Sequence, residues 1–398
     1  MARRAIVAGG SIGGLFAAAA LLKRGWDVTV YERTGTELSG RGAGIVTHPE
    51  LVDALKSVGV DITDLGVLVR ERVAYDIAGD RVRTLPFEQV VTSWDRIHQG
   101  LRRLIPDGAH VLGRTVTAYT QDGESVTARF AEGGQDTADV LIGADGFRSA
   151  VRGQMLPEIH PEYAGYVVWR ALAQESDLPA EVHASIFGAF GFFLPRGTQI
   201  IGYPIAGPGN DLRPGHRRYN FVWYTAVPEA DLTDMRTDAT GTHHPVSIAP
   251  PLIRDDILAR MRDDAARRLP PPFVAMLDHG ERPFFTPIYD HHAPVMAEGR
   301  VALSGDAACV ARPHVGMGVT KAAQDALSLA RHLDAAPVPQ ALAAYSAERV
   351  PAARAAFERS RRLGGFIFDG PEGANPDGRA NPRIETIMRD TAVTVPAG

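Results

Sequence analysis

The sequence predicts an α/β protein: a Rossmann-like dinucleotide-binding unit into which a second, mainly antiparallel β-sheet unit is inserted. Three observations carry this expectation. At the start, an apolar run breaks on glycines (Arg4-Ala5-Ile6-Val7-Ala8-Gly9-Gly10-Ser11-Ile12-Gly13-Gly14), leads into a helix, and is followed by a short strand ending at Glu32. Far downstream, two more buried strands stop in tight polar turns, Gly143-Ala144-Asp145-Gly146 and Gly305-Asp306. Between them, from Tyr163 to Tyr289, the chain changes to short apolar runs rich in aromatics.

The first unit is the most explicit. Leu15–Arg24 reads as a helix closed by Gly25, with Leu15, Ala18, Ala19 and Leu22 on one face, and Asp27–Tyr31 reads as the second strand. Free N–H groups at a helix start favour a pyrophosphate. Gly9 permits the sharp turn and Gly14 lets helix and strand pack closely; Ser11 stands where a GxGxxG pattern has its middle glycine, and is small enough to keep the backbone approachable. Gly9, Ser11, Ile12 and Gly14 are therefore candidate phosphate-binding positions. Glu32, with Arg33 beside it, is the candidate ribose end. Arg3-Arg4 before small apolar residues resembles a secretion signal, but the glycines and the acid-terminated strand argue against that reading.

Composition bounds the rest. A length of 398 residues suggests two or three domains with ample core, and a formal net charge of −5 recommends no nucleic-acid partner. No apolar run reaches membrane-spanning length. The single cysteine, Cys309, excludes an internal disulfide and cysteine-cluster metal sites; it fits a reducing cytoplasm, and no metal site is expected. The stretch Ser39-Gly40-Arg41-Gly42-Ala43-Gly44 is a glycine-rich loop in which Arg41 and Gly44 can approach a phosphate or a flat ligand, the alternative being a simple surface turn.

Further along, helices are expected at Glu50–Val58, Ser93–Leu104, Lys321–Leu333 and about Val338–Arg362. Strands are expected within Val67–Val91, then at Ser125–Phe130, Ala138–Ile142, Tyr166–Arg170, Phe187–Leu194, Thr198–Pro204 and Tyr219–Val227, with a hairpin turn at Pro195-Arg196-Gly197. Tyr203, Trp223 and Tyr224 are candidate pocket residues, although alternation alone does not choose which aromatics line a cavity. Pro313, Gly316 and Gly318 precede a helix and expose its N-terminus to a ligand. The tail after Gly364, rich in Gly, Pro, Asp and Asn, reads as extended or disordered.

Taken together, Gly9-x-Ser11-x-x-Gly14 with Glu32, Gly143-Ala144-Asp145-Gly146-x-x-Ser149-x-x-Arg152, and Gly305-Asp306-Ala307-Ala308 resemble the flavin-dependent aromatic hydroxylases of the p-hydroxybenzoate hydroxylase type, from about Ala5 to Arg362. Local strings such as Leu38-Ser39-Gly40, Pro49-Glu50-Leu51-Val52, Tyr163–Arg170 and Arg312-Pro313-His314 look like those of members acting on pyridinols such as 2,6-dihydroxypyridine. The resemblance implies a glutathione-reductase-type (ββα) FAD-binding domain assembled from 1–70, 97–162 and 288–365, a substrate-binding β-sheet domain from 71–96 and 163–287, and a tail at 366–398. It implies FAD as cofactor, NAD(P)H and O2 as co-substrates, ring hydroxylation through a flavin C4a-hydroperoxide, a small aromatic or heteroaromatic substrate, and a homodimer. In it, Asp306 would hold the ribityl chain, Gly316 and Gly318 would face the flavin pyrimidine, and Asp145 would serve FAD and the passing nicotinamide. The chain departs from many relatives at Trp94, Cys309 and Thr320.

A phenol or pyridinol reacts better once ionised, so a base is sought. His314 is the first candidate and also a pocket candidate, since it lies at the helix start expected beside the flavin; His48, after the Gly44 loop, is the second. For any one of 13 histidines the alternative is a structural residue with its nitrogens satisfied. Two other classes stay open: a flavoprotein reductase or halogenase that inserts no oxygen, and a non-catalytic flavin-binding regulator.

Overall fold

The computed structural model describes residues 3–38, 44–195, 197–368 and 384–395. The strand Arg4–Ala8 lies inside a six-stranded sheet ordered Ala297–Glu298, Val301–Leu303, Val140–Gly143, Arg4–Ala8, Asp27–Glu32, His110–Leu112. All neighbours but the first pair run parallel. Such strands are covered on both faces, which is why Ile6-Val7 and Val140–Ile142 read as unbroken apolar runs and are fully buried. The helices Ile12–Leu22 and Gly318–Ala335 pack into this core, as does an antiparallel sheet of Val116–Gln121, Val126–Phe130 and Gln135–Ala138.

The parallel register has a direct consequence. Ala8 pairs with both Gly143 and Tyr31, and Gly143 pairs with Leu303, so the three glycine-bearing turns leave the sheet side by side at its carboxyl edge. Ligands of open α/β sheets bind at that edge.

A nine-stranded sheet forms the other half, ordered Cys309–Val310, Phe284–His292, Glu162–Gln174, Arg218–Ala226, Thr198–Ile205, Phe190–Phe193, Val67–Tyr75, Arg81–Ser93, Gly44–Val46. It is antiparallel except where Phe190–Phe193 joins Val67–Tyr75. It takes in Gly44–Val46 and Val67–Tyr75 as well as the two segments expected from sequence. One face packs on Ile257, Met261, Phe273 and Met276 of the helices Asp255–Arg268 and Pro271–Asp278, and the other carries Tyr203, Val222 and Tyr224.

Several elements differ from expectation. The first helix starts earlier, at Ile12, because Ser11 takes the cap position. The single strand expected at Ala138–Ile142 is two, Gln135–Ala138 in the small sheet and Val140–Gly143 in the large one, separated at Asp139, whose carboxylate accepts from the Arg4 N–H at 2.6 Å. The strand Val116–Gln121 was not foreseen. The region 163–289 is not all β: it contains helices Ala180–Ile186, Glu229–Met235, Asp255–Arg268 and Pro271–Asp278, whose starts follow proline at three of the four. Finally, the tail is not wholly extended, since Ile384–Asp390 is a helix with Ile387 and Met388 buried. No helix among the described residues is long and apolar enough to cross a bilayer.

Candidate active site

Three adjoining cavities of about 540, 340 and 240 Å³ run from the carboxyl edge of the parallel sheet to the inner face of the large sheet. The first two share Ser11, Trp94, Ala144 and Gly146; the second and third share Gly44, Ile45, Arg170, Asp306 and Gly318. They form one trough.

At its first end the glycine turn is a tight cradle. A Cβ on Gly14 would lie 1.9 Å from the Gly9 carbonyl oxygen, and Gly9 has φ +105° against the Ala144 carbonyl. Only glycine fits either place. Glu32 is buried and accepts the N–H of Gly10 at 2.8 Å and of Thr34 at 2.9 Å. Burial pushes its carboxyl up, but the Thr34 and Gly10 amides outweigh this and hold it below its ordinary value. Arg33 lines the same cavity, and Ile12 lines the next.

Asp145 lines the first cavity, but its carboxylate also caps the helix Ala150–Met155, accepting from Ser149 Oγ at 2.5 Å and from the Ala150 N–H at 2.7 Å. From the same helix, Arg152 reaches across to donate to the Ala307 carbonyl at 3.2 Å, tying the second motif to the third. The turn carrying Asp306 is held from behind by Lys321, which donates to the Gly305 carbonyl at 2.8 Å, and by Asp325, which accepts from the Gly305 N–H at 3.1 Å and from Arg349 at 2.9 Å. The sequence reading missed this support; the charged pair Lys321/Asp325, one turn apart on an otherwise apolar helix face, was its signal.

The Asp306 side chain opens on the trough, and its carboxylate has no hydrogen bond among the described residues. Surrounding protein pushes its pKa up, offset by Lys321. An acceptor left bare in such a place is set for a ligand hydroxyl. Gly318 begins the helix Gly318–Ala335, and Pro313, Gly316 and Gly318 all line the third cavity. Arg41 lies outside the described residues, whereas Gly44 lines the trough where a Cβ would strike Tyr203.

The third cavity is walled by Tyr203, Tyr224, Phe190, Ile201 and Val222. Tyr203 stacks on Phe190 at 4.8 Å. Trp223 does not line it. Strand alternation turns Trp223 to the opposite face, where its Nε1 donates to Thr198 Oγ1 at 2.6 Å. Burial raises the phenols, Tyr224 to about 12, so both tyrosines keep their protons at neutral pH.

Neither candidate histidine borders this cavity. His314 is fully buried behind Tyr224, 4.5 Å between ring centres, with Nε2 2.9 Å from Tyr166 Oη. Burial, then Arg312, drives its pKa down to about 3. His48 is held by Thr320 Oγ1 at 2.8 Å, and burial lowers it to about 4. Both rings are neutral near pH 7. The charged residue that stands out is Arg170, which the sequence analysis placed in a strand but gave no site role. It is half-buried, lines both the second and third cavities, and its guanidinium has no hydrogen bond or ion pair among the described residues.

A family model described as an FAD binding domain matches residues 3–189 and 286–360, and a second, FAD binding domain-like, matches 163–290. The 2,6-dihydroxypyridine 3-monooxygenase of Paenarthrobacter nicotinovorans is 38% identical over 329 residues, covering 82% of each chain. The chain belongs to the FAD-dependent aromatic hydroxylases. Within that family, the solved 2,6-dihydroxypyridine-3-hydroxylase of Arthrobacter nicotinovorans superposes with a TM-score of 0.89 at 32% identity, covering 100% of this chain and 98% of that one. Klebsiella pneumoniae HpxO, solved with FAD and uric acid, shares the fold at a TM-score of 0.74 and 24% identity over 98% and 93% of the two chains.

The trough fits the cofactor of this hydroxylase family on its own evidence. Gly9 and Gly14 leave no room for a side chain in the turn, the first helix presents its N-terminus there, Glu32 is fixed as an anion, and the bare Asp306 carboxylate waits further along. FAD is the cofactor.

Proposed function

We propose that this hydroxylase acts on a hydroxypyridine such as 2,6-dihydroxypyridine, with NAD(P)H and O2 as co-substrates. Arg170 carries the reading: an unpaired guanidinium facing a small aromatic-walled cavity continuous with the FAD trough. The identity to a relative that acts on 2,6-dihydroxypyridine supports the choice of substrate.

When bound, FAD would supply the redox chemistry that activates O2 at the expense of NAD(P)H. The protein's part is placement and charge. Phe190, Tyr203 and Tyr224 enclose a flat ring and keep water off it. Opposite charge nearby lowers an acid's pKa by about 1–3 units, so Arg170 favours the ionised, electron-rich form of a ring hydroxyl. Tyr203 and Tyr224 keep their protons and neither candidate histidine borders the cavity, so activation is assigned to this electrostatic effect. His314 would act from behind, holding Tyr166 and Tyr224 in place rather than taking a proton. In the same proposal, Gly9, Ser11, Ile12, Gly14, Glu32 and Arg33 hold the ADP half of FAD, with Asp306, Pro313, Gly316 and Gly318 along the remainder. The homodimer and the reducing cytoplasm belong to it too; light scattering tests the first.

The decisive experiment follows NADH or NADPH oxidation in air, with and without 2,6-dihydroxypyridine, while measuring peroxide and hydroxylated product. Strong stimulation with little peroxide supports the reading. Stimulation with one peroxide per NADH makes the pyridinol an effector, and no stimulation of FAD-loaded protein sinks the pyridinol assignment.

A further inference from the structure

Residues 384–395 pack against the rest of the molecule. The helix Ile384–Asp390 and the residues to Val395 lie along the substrate cavity, with Ile387, Met388 and Ala392 buried in the same core as Tyr203 and Tyr224. Thr391 and Ala392 line the 240 Å³ cavity, while the next two residues, Val393 and Thr394, line a separate groove of about 590 Å³ with Thr47, His48 and Phe87. Four consecutive residues therefore separate the substrate cavity from an outer groove.

Their attachment is specific. Arg72, fully buried in the large sheet, donates to the carbonyls of Met388 and Thr391, both at 2.7 Å, and to Gln89 Oε1 at 2.8 Å. Gln89 in turn donates to the Ala392 carbonyl at 2.9 Å. The Ala392 N–H donates to the His314 carbonyl at 2.9 Å, and Thr394 to Glu50 at 2.6 Å. The Arg72 guanidinium lies 3.9 Å from the Phe87 ring. Burying a guanidinium is costly, and its bonds to the Met388 and Thr391 carbonyls and to Gln89 are what offset the cost, so the arginine and the segment hold each other in place.

Two backbone features point the same way. Ala392 has φ +53°, a strained conformation for a residue with a Cβ. It faces Gly316, where any Cβ would fall 2.9 Å from that of Ala392. In addition, Thr391 Oγ1 is sealed from water and has no hydrogen-bond partner among the described residues, although its residue lines the cavity.

We propose that Thr391 and Ala392 form a fixed wall of the substrate cavity that limits ring size and keeps water out, with Arg72 as the positioning residue that locks the wall in place. The proposal rests on the aromatic-hydroxylase reading but not on the pyridinol. With the wall in place the cavity ends at Ala392; with it displaced, the cavity joins the outer groove.

The test compares wild type, Arg72→Met and Ala392→Gly as FAD-loaded full chains. Three measurements are made: hydrogen exchange of residues 384–395, binding of hydroxypyridines of graded bulk followed by flavin absorbance, and peroxide released per NADH. For Arg72→Met the expectation is at least tenfold faster exchange confined to this segment, acceptance of bulkier rings, and at least threefold more peroxide. Ala392→Gly, which relieves the strained φ and removes one methyl group, should keep the segment protected while admitting rings about one methyl larger. Faster exchange with an unchanged size limit and unchanged peroxide overturns the wall. Unchanged exchange in Arg72→Met overturns the role of Arg72. Should Arg72→Met fail to fold, Ala392→Gly decides: an unchanged size limit overturns the proposal. If wild type hydroxylates no pyridinol, the exchange and binding measurements still decide the wall, so the two readings fail separately.

Discussion

Neighbouring glycines at the start of the first helix should respond in opposite ways to the same substitution. An alanine Cβ at Gly14 would sit 1.9 Å from the Gly9 carbonyl oxygen, where non-bonded heavy atoms prefer about 3.5 Å. The shortfall, roughly 1.5 Å, must be met by moving the helix start away from the strand, since both partners are backbone. Overpacking of this kind costs about 1–3 kcal/mol or more, partly offset by the ~1 kcal/mol helix preference of alanine over glycine. The displaced groups are the amides of the phosphate cradle. At about 1.4 kcal/mol per decade, the net cost of up to about 2 kcal/mol should weaken FAD binding by as much as roughly 30-fold in Gly14→Ala. At Gly13 the same Cβ meets only the Ala322 methyl, at an ordinary 3.5 Å. Gly13→Ala should then be neutral or stabilising by up to ~1 kcal/mol. The assay is FAD titration by fluorescence quenching, with thermal melts of the apo forms. FAD affinity of Gly14→Ala within twofold of wild type, or equal losses at both positions, would refute the argument.

Three further outcomes are expected. Arg170→Met should raise KM for ionisable pyridinols about tenfold or more and shift the kcat/KM profile to higher pH, whereas Arg170→Lys restores part of the loss; unchanged kinetics would remove Arg170 from the site. His48, His291 and His314 are pushed down by burial to about 4, 3 and 3, so between those values and ~6.5 the unfolded chain binds more protons than the folded one. Stability should therefore fall as pH drops from about 6.5 to 4, by on the order of 3 kcal/mol per histidine; His314→Gln should flatten that slope in urea melts, and an unaltered slope would contradict it. Burial also pushes the Cys309 thiol up to about 12, so labelling by a thiol reagent at pH 8 should require unfolding, and rapid labelling of the native protein would be the contrary result.

Much of this protein was legible in one dimension. A strand that stops at glycine, a helix that starts there and an acid closing the next strand are local patterns, and Gly9, Glu32 and Asp306 stand along the trough, with Gly14 packed behind Gly9, because short-range backbone geometry placed their motifs at strand ends. Strand alternation puts Trp223 and Tyr224 on opposite faces, yet which face meets the cavity is decided by the helices Asp255–Arg268 and Pro271–Asp278 covering the other side. Three helices of region 163–289 were hidden because they are proline-started segments of only about two turns in an aromatic-rich stretch, whereas Asp255–Arg268 carries Ile257, Leu258, Met261 and Ala265 at helical spacing and was there to be read. His314 drew attention as a titrating side chain beside the expected flavin; only packing revealed that Tyr166 and Tyr224 seal it and that burial takes away its basicity. Arg170 and the Arg72 anchor depend wholly on contacts between distant segments, the latter over more than 300 positions to Thr391. Sequence by itself determined the dinucleotide site, since phosphate cradles are built from consecutive backbone, and the family resemblance narrowed it to FAD. Tertiary structure decided the aromatic-walled cavity, because its walls come from strands, turns and a C-terminal segment that meet only after the chain has folded.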